Sequence, residues 1–189
     1  MARKKIDSIC YKYNNVVKLE IGSGKKKGKY EWLMIDMNDN CDIYWDLNWP
    51  MPFDDFSIDM IYSSHVLEHF NKTNLDVLMR DCYRTLKSGG VFSASVPNVK
   101  IYIDGYMNGG FDFNKYIQEP NAMANNPRLD ILNHIAYMEG HHRYMFDEEA
   151  LVSLLKNTGF INVALRGYDP SIDPENRRHE SIYAVGYKA

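Results

Sequence analysis

VVKLEIGSGKKKGKYEWLMID, residues 16–36, is the stretch whose reading decides how this chain folds. Val16, Val17, Leu19 and Ile21 form an apolar run that carries one acid, Glu20, and stops at the turn Gly22-Ser23-Gly24. A second apolar run, Trp32 to Ile35, ends on Asp36. Two buried strands that end at polar groups, with a glycine turn after the first, predict a parallel α/β sheet with a nucleotide-type site at its carboxyl edge. Gly22 and Gly24 let the backbone turn sharply and approach a ligand closely, where a Cβ would collide. Asp36, at the end of the second strand, is placed to accept hydrogen bonds from ribose hydroxyls.

Spacing sorts the families that own such a turn. A phosphate-cradling loop needs G-x-x-x-x-G-K-[ST]. Here Ser23 stands at the first glycine and Tyr30 at the magnesium-binding hydroxyl, so that reading fails. The dinucleotide fingerprint G-x-G-x-x-G has Lys27 at its third glycine and is weak. The pattern apolar-Glu20-apolar-Gly22-x-Gly24, with a strand ending in Asp36 close behind, resembles class I S-adenosylmethionine-dependent methyltransferases. Lys26 replaces the third glycine usual in that motif. Trp32 follows Gly24 by eight positions, fewer than the dozen or so of a full βαβ crossover, so the early helices are expected to be truncated.

The resemblance becomes specific between residues 46 and 69. The run D-L-x-x-P-x-P-F-x-D-x-S-x-D-x-I-Y-S-S-H-V-L-E-H looks like the adenine-side loop, fourth strand and following turn of small-molecule methyltransferases. Arg84-x-Leu86-Lys87-x-Gly89-Gly90 leading to Pro97-Asn98, and Gly140 to Asp147 leading into a last large helix, continue it. The resemblance implies a Rossmann-like seven-stranded α/β sheet of order 3-2-1-4-5-7-6 with the last strand antiparallel. It implies S-adenosyl-L-methionine as cofactor and S-adenosyl-L-homocysteine as product. Glu20 would hold the methionine amino group; Gly22, Ser23 and Gly24 would line the methionine portion. Asp36 and Met37 would meet the ribose, and Asp46 with Leu47 the adenine. Ser63, Ser64 and His65 would line the methyl-transfer side.

The remaining segments follow from pattern. Leu75, Leu78, Met79, Cys82 and Leu86 fall on one face of a helix over about 73–87, expected to end through Ser88-Gly89-Gly90. Val91–Val96 is a fifth strand. From Lys100 to Arg143 the periodicity is lost. This aromatic-rich segment reads as a lid-like insertion over a substrate pocket, or equally as a satellite apolar cluster. His134, His141 and His142 are its imidazoles. Asp147 caps a final helix with Leu151, Leu154 and Leu155 inward, and two strands close the chain.

His65-Val66-Leu67-Glu68-His69 matches H-x-x-E-H, an inverted zinc-protease motif. If the segment is helical, residues 65 and 69 share a face and zinc ligation is possible. It directly follows a buried strand, however, and Val66 and Leu67 read as core contacts, so no metal is expected. Candidate bases for a proton released by the acceptor are His65, His141 and His142.

The 189 residues suit one domain, 16–189, after an N-terminal arm of residues 1–15. A net charge of −3 and the lack of an added nucleic-acid module make nucleic acid an unlikely partner and favour a small-molecule or glycan acceptor. No apolar run reaches a membrane span, and MARKKIDSIC lacks the apolar core of a signal peptide. Three widely spaced cysteines read as reduced thiols in a cytoplasmic protein. The runs Lys25–Lys29 and Arg177-Arg178 read as solvated, with a further option of meeting an acidic acceptor. A nucleotide-dependent oxidoreductase and a non-catalytic S-adenosylmethionine-binding module are the alternatives.

Overall fold

The computed structural model describes residues 16–24, 32–116 and 127–189. The N-terminal arm, the run Lys25–Lys29 with the first crossover, and residues 117–126 of the insertion lie outside the described residues. Seven strands form one sheet: β1 (Lys18–Ile21), β2 (Leu33–Asp36), β3 (Ile43–Tyr44), β4 (Ile58–Ser64), β5 (Leu86–Pro97), β6 (Ile161–Leu165) and β7 (Ser181–Tyr187). Their order is β3-β2-β1-β4-β5-β7-β6, as the resemblance implied. β1 to β5 pair in parallel, and β7 runs antiparallel between β5 and β6.

Both faces of the sheet must be covered, which is why its strands read as nearly continuous apolar runs. Leu19, Ile21, Leu33, Ile35, Ile61 and Phe92 are fully buried. Helix α1 (Lys72–Thr85) adds Leu75, Leu78, Met79 and Cys82 to the same core. Asn71 caps its start, the side chain accepting from Asn74 N–H at 2.9 Å. Among the described residues no α-helix precedes it: β2 joins β3, and β3 joins β4, through turns and loops.

The end of α1 departs from expectation. Glycine does not terminate it: the backbone turns extended at Leu86 and passes straight into β5. Lys188, itself buried, donates its ammonium to the carbonyls of Arg84 and Leu86 at 3.1 and 2.7 Å, meeting the negative end of the helix. Gly89 (φ +76°) instead serves the irregularity between β4 and β5, whose register shifts between Ile58–Leu86 and Met60–Val91.

After β5 come α2 (Val99–Asn108), the single turn α3 (Phe113–Tyr116) and α4 (Leu129–Tyr137). Val99 and Tyr102 of α2 pack on Ile131 and Ile135 of α4, joined by Phe111, Phe113 and Leu132. Those aromatic side chains therefore build a second, smaller core. Helix α5 (Glu148–Thr158) starts as expected, with Asp147 accepting from Ala150 N–H at 2.7 Å. It rests on α1, β6 and β7. No described helix is long and apolar enough to cross a membrane. Cys41 and Cys82 are free thiols.

Candidate active site

A cleft of about 850 Å³ opens at the carboxyl ends of β1, β2 and β4. That is the position a parallel sheet reserves for ligands, and a size that suits a cofactor with room beside it. The end of β1 brings Glu20 to it, and the turn that follows brings Gly22, Ser23 and Gly24. The end of β2 supplies Asp36 and Met37, and the segment after β3 supplies Trp45, Asp46, Leu47 and Asn48.

Asp36 ties the first two strands together. Its Oδ2 accepts from Gly24 N–H at 2.7 Å and its Oδ1 from Met37 N–H at 2.5 Å. A carboxylate has about four acceptor positions, so lone pairs remain on both oxygens for a ligand's hydroxyls. Asp46 is held similarly, its Oδ1 accepting from the backbone and side-chain amides of Asn48 at 2.9 and 2.8 Å. Ser23 is buried, and its Oγ has no hydrogen-bond partner among the described residues.

The two glycines of the turn have different reasons. Both have positive φ, +64° at Gly22 and +66° at Gly24. A Cβ on Gly22 would lie 2.3 Å from Cγ2 of Val66, so the protein's own fourth-strand turn already approaches this glycine closely. A Cβ on Gly24 would meet nothing within 4 Å. There what the protein itself asks of glycine is the positive φ.

The opposite wall begins at the end of β4. Ser64 and His65 line the cleft, but Ser63 does not. Ser63 is 0% exposed, paired between Ile21 of β1 and Ala94 of β5, which corrects the expectation that it faces the methyl-transfer side. His65 has φ +54°, a left-handed conformation uncommon for a side-chain-bearing residue. Ser181 gives its one hydroxyl proton to the Arg177 carbonyl at 2.7 Å, so its Oγ accepts from His65 Nε2–H at 2.7 Å. The His65 Nδ1 lies 3.8 Å from the Glu68 carboxylate.

Arg177 is not a solvated loop residue. It lines the cleft and donates from one guanidinium nitrogen to the Ser64 carbonyl and Oγ at 2.8 and 3.2 Å. The loop that carries it is pinned by Asp173, which takes a bidentate pair of bonds from Arg166 and one from the Tyr62 hydroxyl at 2.9 Å. Arg178 keeps the expected surface role, pairing with Glu175. No local sequence pattern marks Arg177, because its partner is 113 positions away.

Among the described residues of the insertion, only Gly140, His141 and Arg143 reach the cleft. His142 turns away from it. It is 5% exposed, its Nδ1–H donates to the Ile135 carbonyl at 2.7 Å, and burial lowers its pKa. A group set beneath the cleft wall cannot reach an acceptor lying in it, so His142 is removed from the candidate bases. It lies instead beside Glu68 and His69: one ligating atom from each falls within 4.8 Å of the others. The stacking of His65 on His69 that the H-x-x-E-H motif would require does not form, in line with the reading of Val66 and Leu67 as core contacts. Residues 67–69 make one tight 3-10 turn preceded by left-handed His65, not a helix that stacks the two imidazoles.

A family model described as a methyltransferase domain matches residues 41–94, from just before β3 through most of β5. A search of curated proteins by sequence returns no match. Among solved structures the chain is similar to a SAM-dependent methyltransferase from Archaeoglobus fulgidus, at 15% identity and TM-score 0.55, over 99% of this chain and 93% of that one. It is similar to an S-adenosylmethionine-dependent methyltransferase from Mesorhizobium loti, at 14% identity and TM-score 0.56, over 98% and 96%. It is also similar to phosphoethanolamine N-methyltransferase 2 of Haemonchus contortus, solved with S-adenosyl-L-methionine, at 13% identity and TM-score 0.56. That alignment covers 98% of this chain and 52% of the longer protein. At such identities the likeness shows a shared fold.

Proposed function

We propose that this chain is an S-adenosylmethionine-dependent methyltransferase acting on an oxygen or nitrogen of a small molecule or glycan precursor. The observation that carries the reading is the wall of the cleft formed by Asp36, Asp46 and the Gly22-Ser23-Gly24 turn. Two carboxylates with acceptor capacity to spare, at the ends of neighbouring strands, suit the hydroxyls and amino group of an adenosine. The buried, unpartnered hydroxyl of Ser23 and the acid Glu20 suit the polar end of a methionine. The antiparallel β7 and the lysine at the third fingerprint glycine weigh against a dinucleotide oxidoreductase.

When bound, S-adenosylmethionine supplies a sulfonium-activated methyl group, so an attacking acceptor atom displaces S-adenosylhomocysteine directly. The protein's part is to hold and desolvate the partners and to receive a proton where the acceptor is a hydroxyl. His65 and His141 border the cleft on the acceptor side and are the candidate proton acceptors. Because the His65 Nε2–H is committed to Ser181, only its Nδ1 could serve. Arg143 and Arg177 place positive charge on the same side, which favours an acceptor carrying a carboxylate or phosphate.

Calorimetry with S-adenosylhomocysteine and NAD side by side tests the reading. S-adenosylhomocysteine is expected to bind one to one and raise the melting temperature, and NAD is expected to do neither. Asp36→Ala should weaken the binding by roughly 1.5–3 kcal/mol, about 10- to 150-fold, through loss of charge-assisted hydrogen bonds. Unchanged affinity in a folded variant would remove Asp36 from the site. With an acceptor in hand, His65→Ala is expected to lower single-turnover transfer by about 100-fold while leaving S-adenosylhomocysteine affinity intact. Transfer at the parent rate in both His65→Ala and His141→Ala would leave positioning as the whole of the catalysis. Cofactor binding with no turnover on any acceptor would favour the non-catalytic module.

A further inference from the structure

We infer that Glu68, His69 and His142 form a binding site for one divalent transition-metal ion of the zinc class, with an open coordination position facing the cleft. The three donors come from two chain segments separated by more than seventy residues, and one ligating atom from each lies within 4.8 Å of the other two. A zinc ion sits about 2.0–2.2 Å from nitrogen and carboxylate donors, so each donor would close in by less than about 1 Å.

Each donor is prepared for this in its own way. Glu68 is 2% exposed, and neither carboxylate oxygen has a hydrogen-bond partner among the described residues. The nearest imidazole nitrogen, His65 Nδ1, is at 3.8 Å, beyond hydrogen-bond reach. A buried carboxylate without donors is costly. A bound cation would supply the missing partner. Both imidazoles meanwhile donate Nδ1–H to backbone carbonyls: His69 to His141 at 2.9 Å, and His142 to Ile135 at 2.7 Å. Those bonds fix the tautomer and leave each Nε2 with its lone pair, the arrangement that supports metal-ligating histidines.

The set is also held together without an ion. The Glu68 carbonyl accepts from the backbone N–H groups of Arg143 and Tyr144 at 2.8 and 3.1 Å, which zips the 3-10 turn to the segment carrying His142. The rings of His69 and His142 meet edge to face at 5.2 Å.

Position decides the type of site. Glu68 and His142 lie together behind the cleft wall, whereas His69 lines the main cleft. Three protein ligands with a fourth position toward a cleft is the pattern of a reactive zinc site, as opposed to a closed structural one. Two imidazoles and one carboxylate favour zinc, cobalt, iron or nickel over magnesium or calcium, which prefer oxygen. In the methyltransferase reading, on which this role rests, the open position would bind and polarise an oxygen of the acceptor.

The test uses chelator-treated full chain titrated with cobalt(II) chloride, followed by calorimetry and by the visible absorption of the bound ion. One cobalt per chain, displaced by zinc and not by magnesium, is expected. Glu68→Gln and His142→Ala should each weaken binding by more than about 100-fold, beyond the loss of an outer partner. The exposed His179→Ala should leave binding unchanged. Glu68→Gln keeps the side-chain shape and removes the unpaired carboxylate, so its metal-free melting temperature should hold or rise, which separates lost binding from lost folding. Absence of saturable one-to-one binding, or undiminished binding in Glu68→Gln, overturns the site. S-adenosylhomocysteine titrated into the same metal-free protein reads the cofactor site separately, so either assignment can fail alone.

Discussion

Asp173→Ala is expected to lower the unfolding free energy by about 3–5 kcal/mol, the range found when one partner of a buried ion pair is removed. The Asp173 side chain is fully buried and that of Arg166 is 16% exposed. Asp173 accepts from both terminal nitrogens of Arg166 at 2.6 and 2.8 Å, from the Tyr62 hydroxyl, and from the Asp169 N–H at 2.7 Å. Truncation would leave a guanidinium, a phenol and an amide facing a cavity that holds no acceptor. For a domain of this length the change corresponds to a fall in melting temperature of roughly 6–20 °C. The same residue orders the loop that delivers Pro174 and Arg177 to the cleft, so ligand affinity should fall with stability. Combining Asp173→Ala with Arg166→Met should recover part of the loss, since the stranded charge is then gone. Urea unfolding of the three proteins checks this; a deficit below about 1 kcal/mol in Asp173→Ala would mean that water reaches Arg166.

Gly22→Ala should be nearly as damaging, for a steric reason. The new methyl would stand 2.3 and 2.8 Å from the two γ-carbons of Val66, on a residue held at φ +64°. Overpacking of this kind costs about 1–3 kcal/mol, and a left-handed alanine adds about 1–2 kcal/mol. Val66 is itself buried between β1 and the 3-10 turn and has little space into which to retreat. Since Gly22 also lines the cleft, the stabilisation by S-adenosylhomocysteine should shrink as the turn shifts. Adding Val66→Ala should return the overpacking part and leave the conformational part, giving a coupling of about 1 kcal/mol or more between the two positions. Strictly additive effects in denaturant unfolding would show that the contact is not what makes glycine necessary at 22.

The elements were largely legible in the sequence because their signals are local. Asp147 capping α5, Gly159 ending it, and the inward faces of α1 and α5 each depend on residues within a few positions of one another. The strand order rested on family resemblance, since periodicity alone cannot order strands. The end of α1 was misread because its cap arrives from Lys188, about a hundred positions later. This edge of the cleft was legible for a related reason. Glu20, Gly22, Ser23, Gly24 and Asp36 lie at the ends of adjacent strands in one short stretch, so strand geometry alone brings them to one edge.

The opposite wall was decided by tertiary structure. The motif H-x-x-E-H suggests His65 with His69, but the left-handed backbone at His65 directs the two imidazoles to different neighbours: Ser181 for His65, and the His141 carbonyl for His69. His141 and His142 are adjacent in sequence and part company in space, one exposed on the cleft and the other buried beside Glu68. Arg177, which composition reads as solvated, reaches Ser64 because Asp173 pins its loop. By itself the sequence determined the strands, the glycine turn and the acids beside it, whose interactions run along or between neighbouring strands. Only the packing of loops drawn from distant parts of the chain decided which histidines, arginines and carboxylate meet, because side-chain direction in a loop is set by contacts that sequence spacing does not encode.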